Sequence, residues 1–72
     1  MLTRQELSIK IGDRIKAVRK QKGLSQAALS KLCKKDKQHI ELIENHKVTP
    51  NVYTLYIISD ALAVELRELL EF

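Results

Sequence analysis

The sequence predicts an all-α domain, a compact bundle of five helices. Apolar side chains recur at three- and four-residue spacing along the chain, as on the buried face of a helix. No stretch alternates apolar with polar residues as a half-buried strand does. β-Branched residues and glycines are few.

Thr3 and Glu6 stand at capping-box spacing, and Leu7, Ile11, Ile15 and Val18 follow as one stripe. Gly23 ends this first helix. Ser25 caps a second helix running through Ser30 to Leu32, with Leu29 and Leu32 inward, until Cys33-Lys34-Lys35 breaks the pattern. Asp36 is placed to accept hydrogen bonds from the first free amides of a third helix, Lys37 to Asn45, where Ile40 and Ile43 face the core. Thr49-Pro50-Asn51 reads as a turn and a cap opening a fourth helix, Val52 to Leu62, with Leu55, Ile58 and Leu62 inward. A short fifth helix carries Leu66, Leu69 and Leu70. Residues 1–7 are the stretch expected to extend from the core.

Seventy-two residues suffice for one core, because each of two would fall below the ~40 residues a small unstapled domain needs. Residues 1–72 are therefore expected to form a single domain. Unbroken apolar runs stop at four residues, Leu55–Ile58 and Ala61–Val64, against the ~20 that span a bilayer. The charged opening MLTRQELSIK lacks the apolar stretch of a signal peptide, which leads us to expect a cytoplasmic protein without membrane association. Cys33 is the one cysteine; it has no partner for a disulfide and is expected to pack as a small inert hydrophobe.

Charge is divided unequally. Residues 1–47 carry twelve of the thirteen Lys and Arg against five acids, whereas residues 48–72 carry Arg67 against four. A basic surface concentrated in one part of a small domain is the footprint of a polyanion binder. Two short helices joined by a tight turn, the second polar on its outside, form the arrangement that places a helix in the DNA major groove.

The residues themselves resemble the phage repressor and Cro-like (Xre-type) helix-turn-helix family. The resemblance runs over residues 9–70 through Ile11-Gly-Asp-Arg-Ile-Lys, Arg19-Lys-Gln-Lys-Gly-Leu-Ser-Gln to Leu29, Ile40, Ile43-Glu44, Pro50, Leu55 and Ala61-Leu62. It implies a five-helix fold of the lambda-repressor-like type, with the helix-turn-helix at about 25–45 and duplex DNA as the partner. By the same resemblance Lys37, Gln38, His39, Glu41 and Leu42 face base edges, while Ser25, Gln26, Lys35, Asn45 and Lys47 contact phosphates. Arg19 and Glu44 correspond to a structural ion pair. Two positions depart from the family pattern. Lys34-Lys35 replaces Gly and a small apolar residue in the turn, and His46 stands where Gly is usual after the third helix. A lysine at positive φ costs roughly 1 kcal/mol more than glycine.

Other chemistries fit less well. His39 and His46 would lie ~10.5 Å apart along a continuous helix, too far to share a metal ion. No glycine-rich loop or nucleophile–base set is evident, so neither an enzyme nor a cofactor is expected. RNA binders stack bases on aromatic platforms, but Tyr53, Tyr56 and Phe72 all fall in the acidic final third. The competing class is a protein-interaction module, antitoxin-like or an adaptor, marked by an exposed apolar patch. Tyr53, Tyr56, Ile57 and Asp60 form such a stripe on the fourth helix, which we expect to join two copies of the chain into a homodimer on an inverted-repeat operator.

Overall fold

A computed structural model describes all 72 residues as four α-helices closed by one 3-10 turn: α1 (Arg4–Gln21), α2 (Gln26–Cys33), α3 (Lys37–Glu44), α4 (Val52–Ala61) and the turn Leu66–Leu70. The expected side-chain caps form at three of the four helices. Thr3 Oγ1 accepts from the Glu6 amide at 3.1 Å, and Glu6 Oε1 accepts from the Thr3 amide at 2.9 Å. The bond from the Thr3 amide contributes most to holding the Glu6 carboxyl below its ordinary 4.5, and the Thr3 side chain adds to it. Ser25 and Asn51 accept from the Ala28 and Thr54 amides. Asp36 differs from expectation: its backbone has the extended conformation of a cap, but its exposed side chain bonds none of the α3 amides. Helix α1 begins at Arg4, so the expected extension through residue 7 shrinks to three residues.

Each α-helix ends in the same way. The C-cap of α2 and the residue just past the cap of the other three turn left-handed, at Lys34 and at Gly23, His46 and Ala63, with φ of 56° and of 72°, 66° and 57°. The next amide then reaches back to a carbonyl of the last turn: Leu24 to Arg19, Lys35 to Ser30, Lys47 to Leu42 and Val64 to Ser59, at 2.9–3.1 Å. Only Gly23 among these positions is a glycine, so three side chains sit in strained backbone. Replacing Ala63 with Gly relieves one without altering charge. It should raise stability by about 1 kcal/mol, a gain of roughly 4–8 °C in thermal midpoint for a domain of this size; an unchanged midpoint would mean that the strain is absent.

Helix α1 packs on α3 and on the 3-10 turn, α2 on α3 and α4, and α4 on the turn. The stripes converge on one core that includes Ile15, Leu29, Ile40, Ile43, Ile58, Leu62 and Leu69, all essentially sealed from solvent. Cys33 belongs to this core, and burial pushes its thiol up from the ordinary value, away from the reactive thiolate. Leu32, expected inside, is 57% exposed, because α2 turns Leu29, Ser30 and Cys33 inward and leaves Leu32 on its rim.

The fifth helix is the main correction. Residues Leu66–Leu70 make a 3-10 turn, within which only Leu69 is fully buried while Leu70 stays largely exposed. Arg14 Nε donates to the Glu68 carbonyl at 2.6 Å, engaging an acceptor that a continuing α-helix would offer to the amide four residues on. No helix is long and apolar enough to cross a membrane.

Candidate nucleic-acid interface

Along α3 and its C-cap, Lys37, Glu41 and Asn45 follow at i, i+4 and i+8, with Gln38 and Leu42 beside them, and these five form the outward arc. Ile40, Ile43 and Glu44 face inward. His39 departs from its expected place. It lies at the inner edge of the helix, half-buried, and its Nε2 is shut off from solvent without a hydrogen-bond partner. Two residues beyond Lys37, it falls on the opposite side of the helix from Lys37 and Glu41. Lys37 Nζ lies 3.3 Å from Glu41 Oε1 with both side chains substantially exposed. Such a surface pair is worth about 0–1 kcal/mol, so Lys37 is released from it at little cost.

Behind that arc, a buried network fixes the helix. Arg19 Nε and Nη2 donate to Glu44 Oε2 and Oε1 at 2.7 and 2.9 Å, and Arg19 Nη1 donates to the Leu24 carbonyl at 2.7 Å. Glu44 is 3% and Arg19 7% exposed. The Glu44 carboxylate, bonded to it, pushes the guanidinium still further up. Gln26 Nε2 also donates to Glu44 Oε1, at 3.1 Å. Its side chain is thereby drawn toward the network, leaving the Gln26 backbone amide, in the first turn of α2, as the group best placed for an anion. Ser25 Oγ accepts from the Ala28 amide and retains its hydroxyl proton for an outside acceptor. Arg19 and Glu44 thus join α1, the start of α2 and the end of α3 in one rigid unit.

A second contact holds the exit from α3. A Cβ on Gly12 would lie 2.5 Å from the Ile43 carbonyl oxygen and 2.9 Å from His46 Cδ2, so only glycine lets α1 come this close. His46 Nε2 lies 2.7 Å from Asp13 Oδ1. Sequence reasoning assigned no role to Gly12 or Asp13. A glycine inside an amphipathic helix costs ~1 kcal/mol against alanine, and that cost was the available signal for a close approach.

Around the unit, Lys31, Lys34, Lys37 and Lys47 are exposed and Lys35 is half-buried. The one carboxylate at the centre of the network is buried beneath Arg19. Away from α3, Tyr53 and Tyr56 are 69% and 57% exposed. With the half-buried Ile57 and the exposed Asp60 they line a groove whose other wall is Leu32, Cys33, Lys34 and Lys35. No three His, Cys, Asp or Glu side chains are grouped to hold a metal ion.

The chain is similar to known proteins over most of its length. The HTH_3 helix-turn-helix family model matches residues 15–69. An HTH_3 family transcriptional regulator from Vibrio cholerae is 27% identical over 93% of this chain, with a TM-score of 0.90, and the chain spans 38% of that protein. The restriction-modification controller protein C.AhdI from Aeromonas hydrophila is 31% identical, with 86% of this chain and 94% of that one covered and a TM-score of 0.84. A hypothetical transcription factor, NHTF, from Neisseria shares the fold at 22% identity, with 99% of this chain and 82% of that one covered and a TM-score of 0.87. No curated protein matches by sequence.

Proposed function

We propose, from the premise that the chain belongs to the HTH_3 helix-turn-helix family, that it is a DNA-binding transcriptional regulator that inserts α3 into the major groove of an inverted-repeat operator as a homodimer. The observation that carries the reading is the outward arc of α3. Lys37, Gln38, Glu41 and Leu42 are presented together on a helix anchored from behind by the Arg19–Glu44 pair. A lysine donates to guanine O6 and N7, a glutamine pairs with adenine N6 and N7, a glutamate accepts from cytosine N4, and a leucine meets the thymine methyl. Ser25, the Gln26 amide, Lys35, Asn45 and Lys47 flank the arc and take the phosphate contacts. The role is one of binding, with no cofactor or catalytic step.

Replacing Lys37 or Gln38 with alanine should cost ~1–3 kcal/mol on the preferred duplex, much less on scrambled DNA, and relax selectivity at one position per half-site. Lys35→Ala should weaken binding to every duplex alike. Anisotropy titrations of both duplexes at several salt concentrations separate the two effects. Equal losses on both duplexes from Lys37→Ala and Gln38→Ala would remove base reading from α3 and favour the protein-interaction module, for which the α4 groove offers a surface.

That groove is assigned here to the second copy of the chain. Ile57→Asp should place like charges across the two-fold axis and yield a folded monomer, read as a halved mass in sedimentation. A variant as dimeric as the parent would move the interface elsewhere.

A further inference from the structure

An open cleft lies between the first turns of α1 and the loop that leaves α3, with Arg4, Ser8, His46, Lys47 and Thr49 among its seven lining residues. Val48 is its one apolar residue, and no carboxylate lines it. Arg4 stands outside residues 15–69, the part of the chain that the family model matches. Its side chain is held in place by a closed circuit of hydrogen bonds. Arg4 Nε donates to Thr49 Oγ1 at 3.4 Å, the Thr49 and Ser8 hydroxyls are bonded to each other, and Ser8 Oγ donates to the Arg4 carbonyl at 3.0 Å. With the Ser8 proton committed to that carbonyl, Thr49 gives its own proton to Ser8 and accepts from Arg4. The circuit uses Nε and leaves both terminal guanidinium nitrogens free. Neither Arg4 nor Lys47 pairs with a carboxylate anywhere in the fold.

We infer that this cleft is a clamp for a backbone phosphate of the same duplex that α3 enters, with Arg4 and Lys47 as its two cations. The inference rests on the DNA-binding reading above and adds α1 to the footprint. A planar guanidinium with two free donors beside an ammonium suits a phosphate oxygen pair. The cleft is open to water, which screens two cations too strongly to hold a free anion well. A duplex already docked on α3 presents its phosphate at high effective concentration, and that makes the contact productive. Lys47 lies three residues beyond the end of α3, so the clamp sits next to the strand on which that helix would be seated.

The test is a set of titrations of a selected duplex and its scrambled counterpart across salt concentrations, with the parent, Arg4→Gln and Thr49→Val. Arg4 is exposed, and melting curves establish that each variant is folded. Arg4→Gln should weaken both duplexes equally, by about 3–10-fold, and lower the log–log salt slope by about 0.9, the value of one phosphate contact. Thr49→Val, which keeps every charge but frees Arg4 from its circuit, should weaken both duplexes to a smaller extent. An unchanged slope for Arg4→Gln overturns the clamp while the parent's binding leaves the DNA reading intact. A loss confined to the selected duplex also overturns it, in favour of base contact. Saturation of the cleft by inorganic phosphate alone, seen as shifts of the Arg4 side-chain resonances, would make it a small-anion site. A parent that binds neither duplex fails both readings.

Discussion

Glu44→Ala should remove about 3–5 kcal/mol of stability, because it leaves the guanidinium of Arg19 buried without its counter-charge. Arg19 gives two of its three hydrogen bonds to Glu44 and only one to the Leu24 carbonyl. The variant therefore keeps a nearly inaccessible cation with one acceptor. Domains commonly have only ~5–15 kcal/mol in total, so the loss is a large part of the whole, and the thermal midpoint should fall by roughly 12 °C or more. Replacing both partners with apolar residues of similar size should recover much of the loss, since a filled apolar site carries no stranded charge. A fall of less than ~4 °C in Glu44→Ala would mean that water reaches the pair.

Gly12→Val should cost about 3 kcal/mol, the upper part of the range for overpacking. The contact at 2.5 Å is with a backbone oxygen, Ile43 O, which cannot swing aside as a side chain can. Relief requires α1 and the end of α3 to separate, which also displaces His46 from Asp13. Gly12→Ala tests the balance more finely, because alanine returns ~1 kcal/mol in helix propensity. The clash should still prevail, leaving Gly12→Ala less stable than the parent in chemical denaturation. A more stable Gly12→Ala would show that the two helices do not meet this closely. Both substitutions release α3 from behind, so DNA affinity should fall with stability even though Gly12 lies off the outward arc of α3.

The local features of this fold were legible in the sequence. Thr3 with Glu6, Ser25 and Asn51 cap as their spacing predicted, because a cap is decided within four residues. The apolar stripes of α1 and α4 predicted their buried faces for the same reason. Features set by a distant element were less visible. The fifth helix became a 3-10 turn whose Glu68 carbonyl is bonded by Arg14, 54 residues away in sequence. Leu32 was assigned inward on periodicity alone, but α4 leaves that side of α2 open. The family resemblance puts His39 among the base-facing residues, whereas helical geometry puts it beside Ile43 on the inner face. Gln26 was recognised as important, yet the bond from its amide group to Glu44 depended on the two helices being packed. Lys34 and His46 departed from the usual glycines in the sequence, and both adopt the left-handed conformation those glycines would have supplied. Arg4, Ser8 and Thr49 gave no signal, since their hydrogen-bonded circuit spans 45 residues of chain.

Selection of bound sequences from a random duplex pool tests the central claim most directly, because it asks for binding, base reading and two-fold symmetry together. The account predicts enrichment of an inverted repeat whose half-sites are centred about 10–11 base pairs apart or a multiple of that. The same selection with Gln38→Ala should lose preference at one position in each half-site and keep the spacing. A pool that emerges without sequence preference, or a protein that retains no duplex, would contradict the assignment of α3 as a reader of DNA.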